Sequence, residues 1–402
     1  MSNSIIKKKR VLFISNGHGE DLNACEVLKA LRRKYSDVEA IALPLVGDGN
    51  AYRRAGVEIA TPTKALPSGG FAYMSLWKQI EDFQSGLIAL TWQQIQAART
   101  CGKTCHFVFA TGDVLPAIFA YLTGLPYAMF LVSSSAFYEN RYIPRWEQAL
   151  MMRSPRCRQI LTRDRYSAKL IRARGYQNTS FVGYPIMDVL EPTGKDLCLI
   201  PDVAAIALLA GSRLPEAAEN LLLQLRLCVA IAAEFAPEPI QFRAALVPSL
   251  MTQLPELALP SGWEYVDRKF YQADLGISVL CFSDAFPDIL HQCDLAIGMA
   301  GTAVEQAVGL GKPVVQIMGN GPQFSYRFAE AQERLLGLSV QTIGKGAATD
   351  EILIEAAKCV KRTLGDRGYL ERCKANGLER VGAKGGSEGL AEAIASQLFF
   401  SK

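Results

Sequence analysis

Four short stretches of this 402-residue chain hold residues whose types and spacing suit chemistry. The first is Asn16-Gly17-His18-Gly19-Glu20-Asp21, directly after the apolar run Val11–Ser15. Glycines at 17 and 19 let a backbone approach a ligand with no Cβ in the way. His18 could serve as a base, and Asp21 is a partner for a sugar hydroxyl. The same pattern also reads as a plain strand-to-helix turn, with Glu20 and Asp21 complementing the positive end of the helix. The second stretch is Gly112-Asp113, closing the apolar run Phe107–Thr111. A carboxylate there can take a proton from an attacking hydroxyl, or cap the helix expected over 115–123.

The third stretch is Gly211-Ser212-Arg213, delivered by the wholly apolar Ile206–Ala210. Ser and backbone N–H groups can hold phosphate oxygens, and Arg can grip a diphosphate through two parallel hydrogen bonds. The fourth, Gly298-Met-Ala-Gly301-Thr302-Ala-Val-Glu305, follows another apolar run. Gly301 and Thr302 fit a diphosphate at a helix start, while Glu305 fits either a pair of ribose hydroxyls or a capping box with Thr302.

These stretches need strands to deliver them. Short apolar runs at 11–15, 38–43, 107–111, 127–132, 160–162 and 180–182 alternate with helical patterns, among them 21–34. The alternation restarts at 205–210 and continues through 241–248, 278–282, 295–297 and 314–318, with an apolar-faced helix over 388–400. Strands alternating with helices predict parallel, doubly wound sheets. The expectation is an α/β protein with two Rossmann-like domains facing across a cleft. Their bounds are 1–187 and 196–385, joined by a linker within 185–196, and 386–402 forms a helix returning to the first domain. In open α/β sheets ligands bind beyond the carboxyl ends of the strands, where all four stretches and Ser133–Ser135 fall.

Composition limits the alternatives. Half the residues are hydrophobic and the net charge is only +4, which predicts a globular protein with no nucleic-acid partner. Ten scattered cysteines, several in apolar runs such as those of Cys198 and Cys281, read as reduced, buried thiols. Cys101, Cys105 and His106 match no strong zinc spacing, so no metal is expected. The basic start Lys7–Arg10 leads into a first strand rather than an export signal, and no apolar stretch reaches the ~20 residues that span a bilayer. The stretch Arg141–Arg174 holds ten basic residues, and could be a solvated face or a surface for anionic lipid heads. The aromatic-rich stretch Phe71–Trp92, which includes Trp77, could be core or a lip for a greasy acceptor.

Together these segments resemble the lipid A disaccharide synthases, glycosyltransferases of the GT-B fold, over most of the chain. Asn16–Asp21 looks like that family's Gly-Glu-x-Ser-Gly-Asp, and Gly112-Asp113 like its Gly-Ile-Asp strand end. Phe181-Val-Gly-Tyr-Pro185 with Asp188 is similar to its Phe-Ile-Gly-His-x segment. Leu208-Leu-Ala-Gly-Ser-Arg213, with Glu216, resembles Leu-Leu-Pro-Gly-Ser-Arg with a following Glu. Ala300-Gly-Thr-Ala-Val-Glu305 resembles Ser-Gly-Thr-Ala-x-Leu-Glu, with one residue fewer between Thr and Glu. The family's Ser-Pro-Ser-x-Trp-Ala-Trp survives only as Ser133-Ser-Ser-Ala-Phe-Tyr138, without its Pro and both Trp.

The resemblance implies a UDP-sugar donor and an inverting transfer to a lipid-like acceptor, such as an acylated glucosamine phosphate, with no metal and no cofactor. It assigns the diphosphate to Arg213, Gly301 and Thr302 and the ribose to Glu305, and the loop residues Gly211, Ser212 and Gly298 complete the expected donor side. Catalysis falls to Asp113, with His18 and Asp21 beside it. The residues themselves, rather than the resemblance, give the expected acceptor contacts: Gly17, Gly19, Ser134, Ser135, Phe71 and Trp77. The resemblance places the enzyme in the cytoplasm, peripheral on the inner membrane. Two other readings share the two-domain plan: a UDP-N-acetylglucosamine 2-epimerase, and a non-catalytic protein that binds nucleotide sugars or lipids.

Overall fold

The structure is a computed structural model that describes residues 9–61, 63, 87–319 and 324–399. Phe71 and Trp77, and all of the Phe71–Trp92 stretch before residue 87, therefore lie outside the described residues. The chain divides into two compact units: residues 1–188 with 384–402, and residues 189–383.

The first unit is built on strands β1 (Lys9–Ser15), β2 (Val38–Pro44), β3 (Glu58–Ile59), β4 (Phe107–Gly112), β5 (Tyr127–Leu131), β6 (Cys157–Thr162) and β7 (Thr179–Ser180). They form one sheet in the order β3-β2-β1-β4-β5-β6-β7, parallel throughout. Its helices are α1 (His18–Lys34), α2 (Asn50–Arg54), α3 (Leu87–Cys101), α4 (Val114–Leu122), α5 (Trp146–Met152) and α6 (Arg165–Ala173). A parallel sheet covered on both faces needs apolar residues on both sides of each strand. Leu12, Ile14, Val108 and Ala110 supply one face within a single buried cluster. On the other, Phe13, Phe109 and Phe130 form a ladder with ring centroids 5.7 and 6.2 Å apart, continued to Tyr184 at 6.3 Å.

The second unit carries β8 (Ala205–Leu209), β9 (Gln241–Ala245), β10 (Trp263–Val266), β11 (Lys269–Gln272), β12 (Ile277–Phe282), β13 (Leu295–Gly298), β14 (Val314–Ile317) and β15 (Val340–Ile343). Their order is β10-β11-β12-β9-β8-β13-β14-β15. From β12 to β15 the sheet is parallel, and β10 and β11 add an antiparallel edge. That edge departs from the all-parallel expectation. The helices are α7 (Glu216–Phe235), α8 (Pro248–Met251), α9 (Phe286–Gln292), α10 (Thr302–Gly309), α11 (Tyr326–Leu336), α12 (Asp350–Gly365) and α13 (Arg367–Arg380). The strand expected over 241–248 stops at Ala245 because Pro248 has no N–H for a ladder and instead opens α8. Leu221, Leu225 and Cys228 of α7 and Val360 of α12 share one buried cluster with Leu208, Phe242 and Ile297 of the sheet.

Nine of the ten cysteines are buried as free thiols, but Cys198 is exposed. The apolar stretch around Cys198 forms no strand, and its backbone turns there through φ 50°.

The last helix, α14 (Gly386–Phe399), packs on α1 of the first unit. Lys34 pairs with Glu392, Arg33 lies 3.7 Å from Glu388, and Tyr35 stacks on Phe399 at 5.6 Å. The Asp188 carboxylate accepts the N–H groups of Gly385 and Ser387, both at 2.6 Å, which satisfies two orphan donors at the helix start. Gly386 presses directly on the backbone of Gly183 and Tyr184, and a Cβ there would collide with the Tyr184 nitrogen. Backbone cannot yield as a side chain can. Gly386→Ala is therefore expected to cost about 1–3 kcal/mol, the usual scale of overpacking, read as a lower urea midpoint for the first unit. An unchanged midpoint would show that this contact does not hold the tail helix.

Candidate functional site

In each unit the strand order reverses beside the first strand, between β1 and β4 and between β8 and β13. At such a switch point two adjacent connections leave in opposite directions and open a crevice at the carboxyl edge. Asp113 of the first unit, and Gly211 with the loop after β13 in the second, lie there.

In the first unit, Asn16 at the end of β1 and Asp113 at the end of β4 bridge the switch point. Asn16 Nδ2 donates to Asp113 Oδ1 at 3.0 Å. The same oxygen accepts the Leu115 N–H at 3.2 Å, so Asp113 caps α4 as well as facing β1. Gly112 adopts φ 141°, and a Cβ there would strike Asn16 Oδ1, so the position admits only glycine. Asp113 is half-buried.

Helix α1 begins at His18, three residues before the expected start, with Gly17 at the cap position. His18 and Gly19 thus belong to the first helical turn rather than to a loop. His18 is exposed, with its imidazole over Gly47 in the connection after β2. A Cβ on Gly19 would meet nothing within 4 Å, so packing within the chain does not demand glycine there.

The earlier start also rotates the acidic pair. Asp21 is turned inward, 1% exposed, which corrects its assignment to a sugar hydroxyl. Ser15 Oγ donates to Asp21 Oδ1 at 2.6 Å and shares a 2.8 Å hydrogen bond with the Tyr52 hydroxyl. Glu20 is the outward carboxylate, accepting the Ser133 hydroxyl at 2.8 Å from the connection after β5.

Ser134 is half-buried in that connection. Ser135 is buried, donating to Asp164 Oδ2 at 2.8 Å and accepting the Phe137 N–H at 3.2 Å, which corrects its assignment to an acceptor. Both of its hydrogen-bonding roles are spent on ordering the connection against α6. Asn16 and Glu20 were not singled out as site residues from sequence. The signal for Asn16 is a polar side chain at the carboxyl end of a wholly apolar strand.

In the second unit, Gly211 follows β8 with φ 101°, and a Cβ there would lie 3.1 Å from the Met299 carbonyl. Glycine at 211 thus lets the loops after β8 and β13 abut. Gly298 is buried in β13, where a Cβ would crowd Val304 and Val314, so its role is packing beneath the loop rather than contact with a ligand. Gly301 takes the cap position of α10 and Thr302 is the first helical residue, with no side chain capping the helix. The Thr302–Glu305 capping box is therefore not formed. Gly301 is exposed, and Thr302, Glu305 and Arg213 are half-buried.

Three buried amides unforeseen from the sequence anchor these loops and the end of β13 beneath them. Asn220 Nδ2 donates to the Ala210 carbonyl at 3.0 Å and Gln224 Nε2 to Ile297 at 3.3 Å. Gln332 Nε2 donates to Ala300 and Gly301, both at 3.1 Å. The carbonyls are tied down from behind while the N–H groups at the start of α10 keep their direction. A cavity of about 410 Å³ in this unit is lined by Asn220, Glu219, Arg226 and Gly319, among others, and by none of the predicted donor residues.

Among the described residues, no group of three His, Cys, Asp or Glu side chains is placed to hold a metal. His106 Nδ1 accepts the Arg10 N–H at 3.1 Å. No helix among the described residues is long and apolar enough to cross a membrane.

The parallel sheets and their switch points define an α/β protein of the GT-B fold class, and solved structures bear this out. The glycotransferase of kitacinnamycin is similar at 15% identity over 97% of this chain and 99% of that one, with a TM-score of 0.61. MurG from Acinetobacter baumannii is similar at 13% identity over 96% and 99%, with a TM-score of 0.57. A UDP-GlcNAc 2-epimerase from Neisseria meningitidis, bound to UDP-GlcNAc, is similar at 12% identity over 98% and 100%, with a TM-score of 0.54. No protein-family model matches the chain, and no curated protein matches it in sequence.

Burial, first of all, pushes the Asp21 carboxyl up from its ordinary 3.8 to about 7; Ser15 pulls it down and neighbouring Glu20 raises it further. Between these values the folded chain holds a proton that the unfolded chain releases. Stability must then fall as pH rises from about 4 to 7. Asp21→Asn keeps the shape and removes the titration, so thermal melts should show a flatter pH profile in this range and a variant more stable than the parent at pH 8. Parallel profiles would contradict the burial of an ionisable group at this position.

Proposed function

We propose that the chain is a glycosyltransferase that moves a sugar from a UDP-sugar to a lipid-like acceptor, in the manner of the lipid A disaccharide synthases. The observation that carries this reading is at the second switch point: Gly211, at the head of the Gly211-Ser212-Arg213 loop, packs on Met299 of the loop that leads into the glycine-capped α10. Backbone N–H groups at a helix start and a guanidinium together suit a diphosphate. The solved structures of similar fold support a UDP-sugar ligand, since one is a UDP-GlcNAc 2-epimerase bound to UDP-GlcNAc.

In this reading Arg213, Gly211, Ser212, Gly301 and Thr302 hold the diphosphate, and Glu305 holds the ribose. At the first switch point Asp113 is the base. Its Oδ1 is held by Asn16 and Leu115, leaving Oδ2 to take the proton of the acceptor hydroxyl. That hydroxyl oxygen attacks the anomeric carbon as the bond to the UDP oxygen breaks, with inversion. The negative charge growing on UDP falls where Arg213 and the helix start are already oriented, so little reorganisation is needed. Glu20 joins His18 at the acceptor side, in place of the inward Asp21.

An epimerase reading is supported by the same fold likeness, because UDP-GlcNAc 2-epimerases stand among the similar structures. The two differ in product: an epimerase converts the donor with no acceptor and releases no UDP-free sugar conjugate. Arg213→Ala should weaken UDP binding in calorimetry by at least about tenfold, the scale of one charge-assisted hydrogen bond. Asp113→Asn should leave that binding intact while lowering transfer by about 10²–10⁴. UDP binding unaffected by Arg213→Ala would remove the donor assignment. Full transfer by Asp113→Asn would move the base to His18 or Glu20.

A further inference from the structure

Cys101 and Cys105 stand apart from the other buried thiols. Cys101 is the last residue of α3, and the chain turns through Gly102, Lys103 and Thr104 before Cys105 leads into β4. The Cys101 carbonyl accepts the N–H groups of Thr104 at 3.0 Å and Cys105 at 2.8 Å. A turn closed by a hydrogen bond between residues four apart holds its end Cα atoms about 6 Å apart, within the span that a disulfide bridges. Both side chains belong to one apolar cluster, and the Cys105 thiol donates a hydrogen bond to the Cys101 sulfur. Lys103 and Thr104 between them are exposed, so the pair lies under a solvent-facing turn.

The surroundings of the pair favour a thiolate at Cys101. The hydrogen bond from Cys105, first of all, holds Cys101 below the ordinary thiol range; burial and Glu58 oppose it, and the Arg10 guanidinium assists. The same hydrogen bond pushes Cys105 up. Burial pushes the other seven buried cysteines up, Cys157 to about 12. A low-titrating thiol beside a second thiol is the arrangement that attacks a disulfide and then resolves the mixed product.

We propose that Cys101 and Cys105 are a redox-active dithiol, which closes to a disulfide by exchange with a small soluble disulfide and reopens with a thiol. Cys101, as its thiolate, attacks one sulfur of the small disulfide, forming a mixed disulfide and expelling one thiolate. Cys105 then gives up its proton and attacks Cys101 Sγ, expelling the second thiolate. The two expelled thiolates take up the protons that Cys101 and Cys105 lost. The pair is thereby oxidised by two electrons and the small disulfide is reduced to two thiols. The product ties the last turn of α3 to the approach to β4, at the opposite end of that strand from Asp113. This inference is independent of the transferase reading.

The test is incubation of the full-length protein with glutathione disulfide, then alkylation, trypsin digestion and mass spectrometry. Trypsin cuts after Arg99 and Lys103, so the two cysteines fall on separate peptides that a Cys101–Cys105 disulfide would join. The wild type should yield the joined peptides, with two hydrogens lost from the intact protein, and dithiothreitol should part them. Before oxidation, an alkylating agent should modify Cys101 at least about tenfold faster than Cys157, although each is 5% exposed. Cys105→Ser should stop at the mixed disulfide of Cys101 with glutathione, and Cys101→Ser should leave Cys105 unmodified. Serine nearly matches cysteine in size, and unchanged melting temperatures serve as the folding control. Glutathione disulfide that modifies the exposed Cys198 and leaves Cys101 and Cys105 as free thiols would overturn the proposal. So would alkylation of Cys101 no faster than that of Cys157.

Discussion

A parallel strand covered on both faces presents polar groups to a ligand only at its ends. The strands beside each switch point are apolar where they are covered, over Val11–Ile14, Phe107–Ala110, Ala205–Leu209 and Leu295–Ile297, and the helices that cover them consume the remaining apolar surface. Chemistry is thereby confined to one edge of each sheet. The reversal of strand order beside β1 and beside β8 selects the point along that edge where connections diverge. Every assignment made to Asn16, Asp113, Arg213 and Gly301 depends on this constraint.

What the edge can do depends on how firmly its loops are held. The second unit uses amides from helices behind the loops: Asn220 and Gln224 from α7 and Gln332 from α11 bind the carbonyls of Ala210, Ile297, Ala300 and Gly301. A neutral amide satisfies a buried carbonyl without placing a charge beneath the loops. The first unit uses a different device. Ser15, Asp21 and Tyr52 tie the end of β1 to α1 and α2 through hydrogen bonds of 2.6 and 2.8 Å. The cost is a carboxyl in a place where its charge is disfavoured. Both devices orient groups before a ligand arrives, which is what stabilising a developing charge requires.

Much of the fold was legible because buried parallel strands write themselves as apolar runs. Phe107–Thr111 and Ile206–Leu209 could be little else. The edge hairpin β10–β11 was not legible. Its sequence, Trp263-Glu-Tyr-Val266 and Lys269-Phe-Tyr-Gln272, alternates buried and exposed residues over only four positions each, too short for a period to register. The site was legible to the level of the loop but not of the side chain. Moving the start of α1 from Asp21 to His18 decides which of two adjacent carboxylates faces outward, and a cap without a side chain leaves no mark to fix that start. One clue was present: Asp21 lies on the same helical stripe as Ala24, Leu28 and Leu31, all of them buried. The anchoring amides were hidden for another reason. Asn220 and Gln332 act on loops in other parts of the sequence, and no local pattern links them.

The central claim is that a nucleotide diphosphate binds the paired loops of the second unit. Hydrogen–deuterium exchange with and without UDP tests it residue by residue. Slower exchange confined to the amides of 211–213 and 301–305, with the sheet beneath unchanged, is the predicted result. UDP that protects neither loop, or that protects only residues of the first unit, would contradict it.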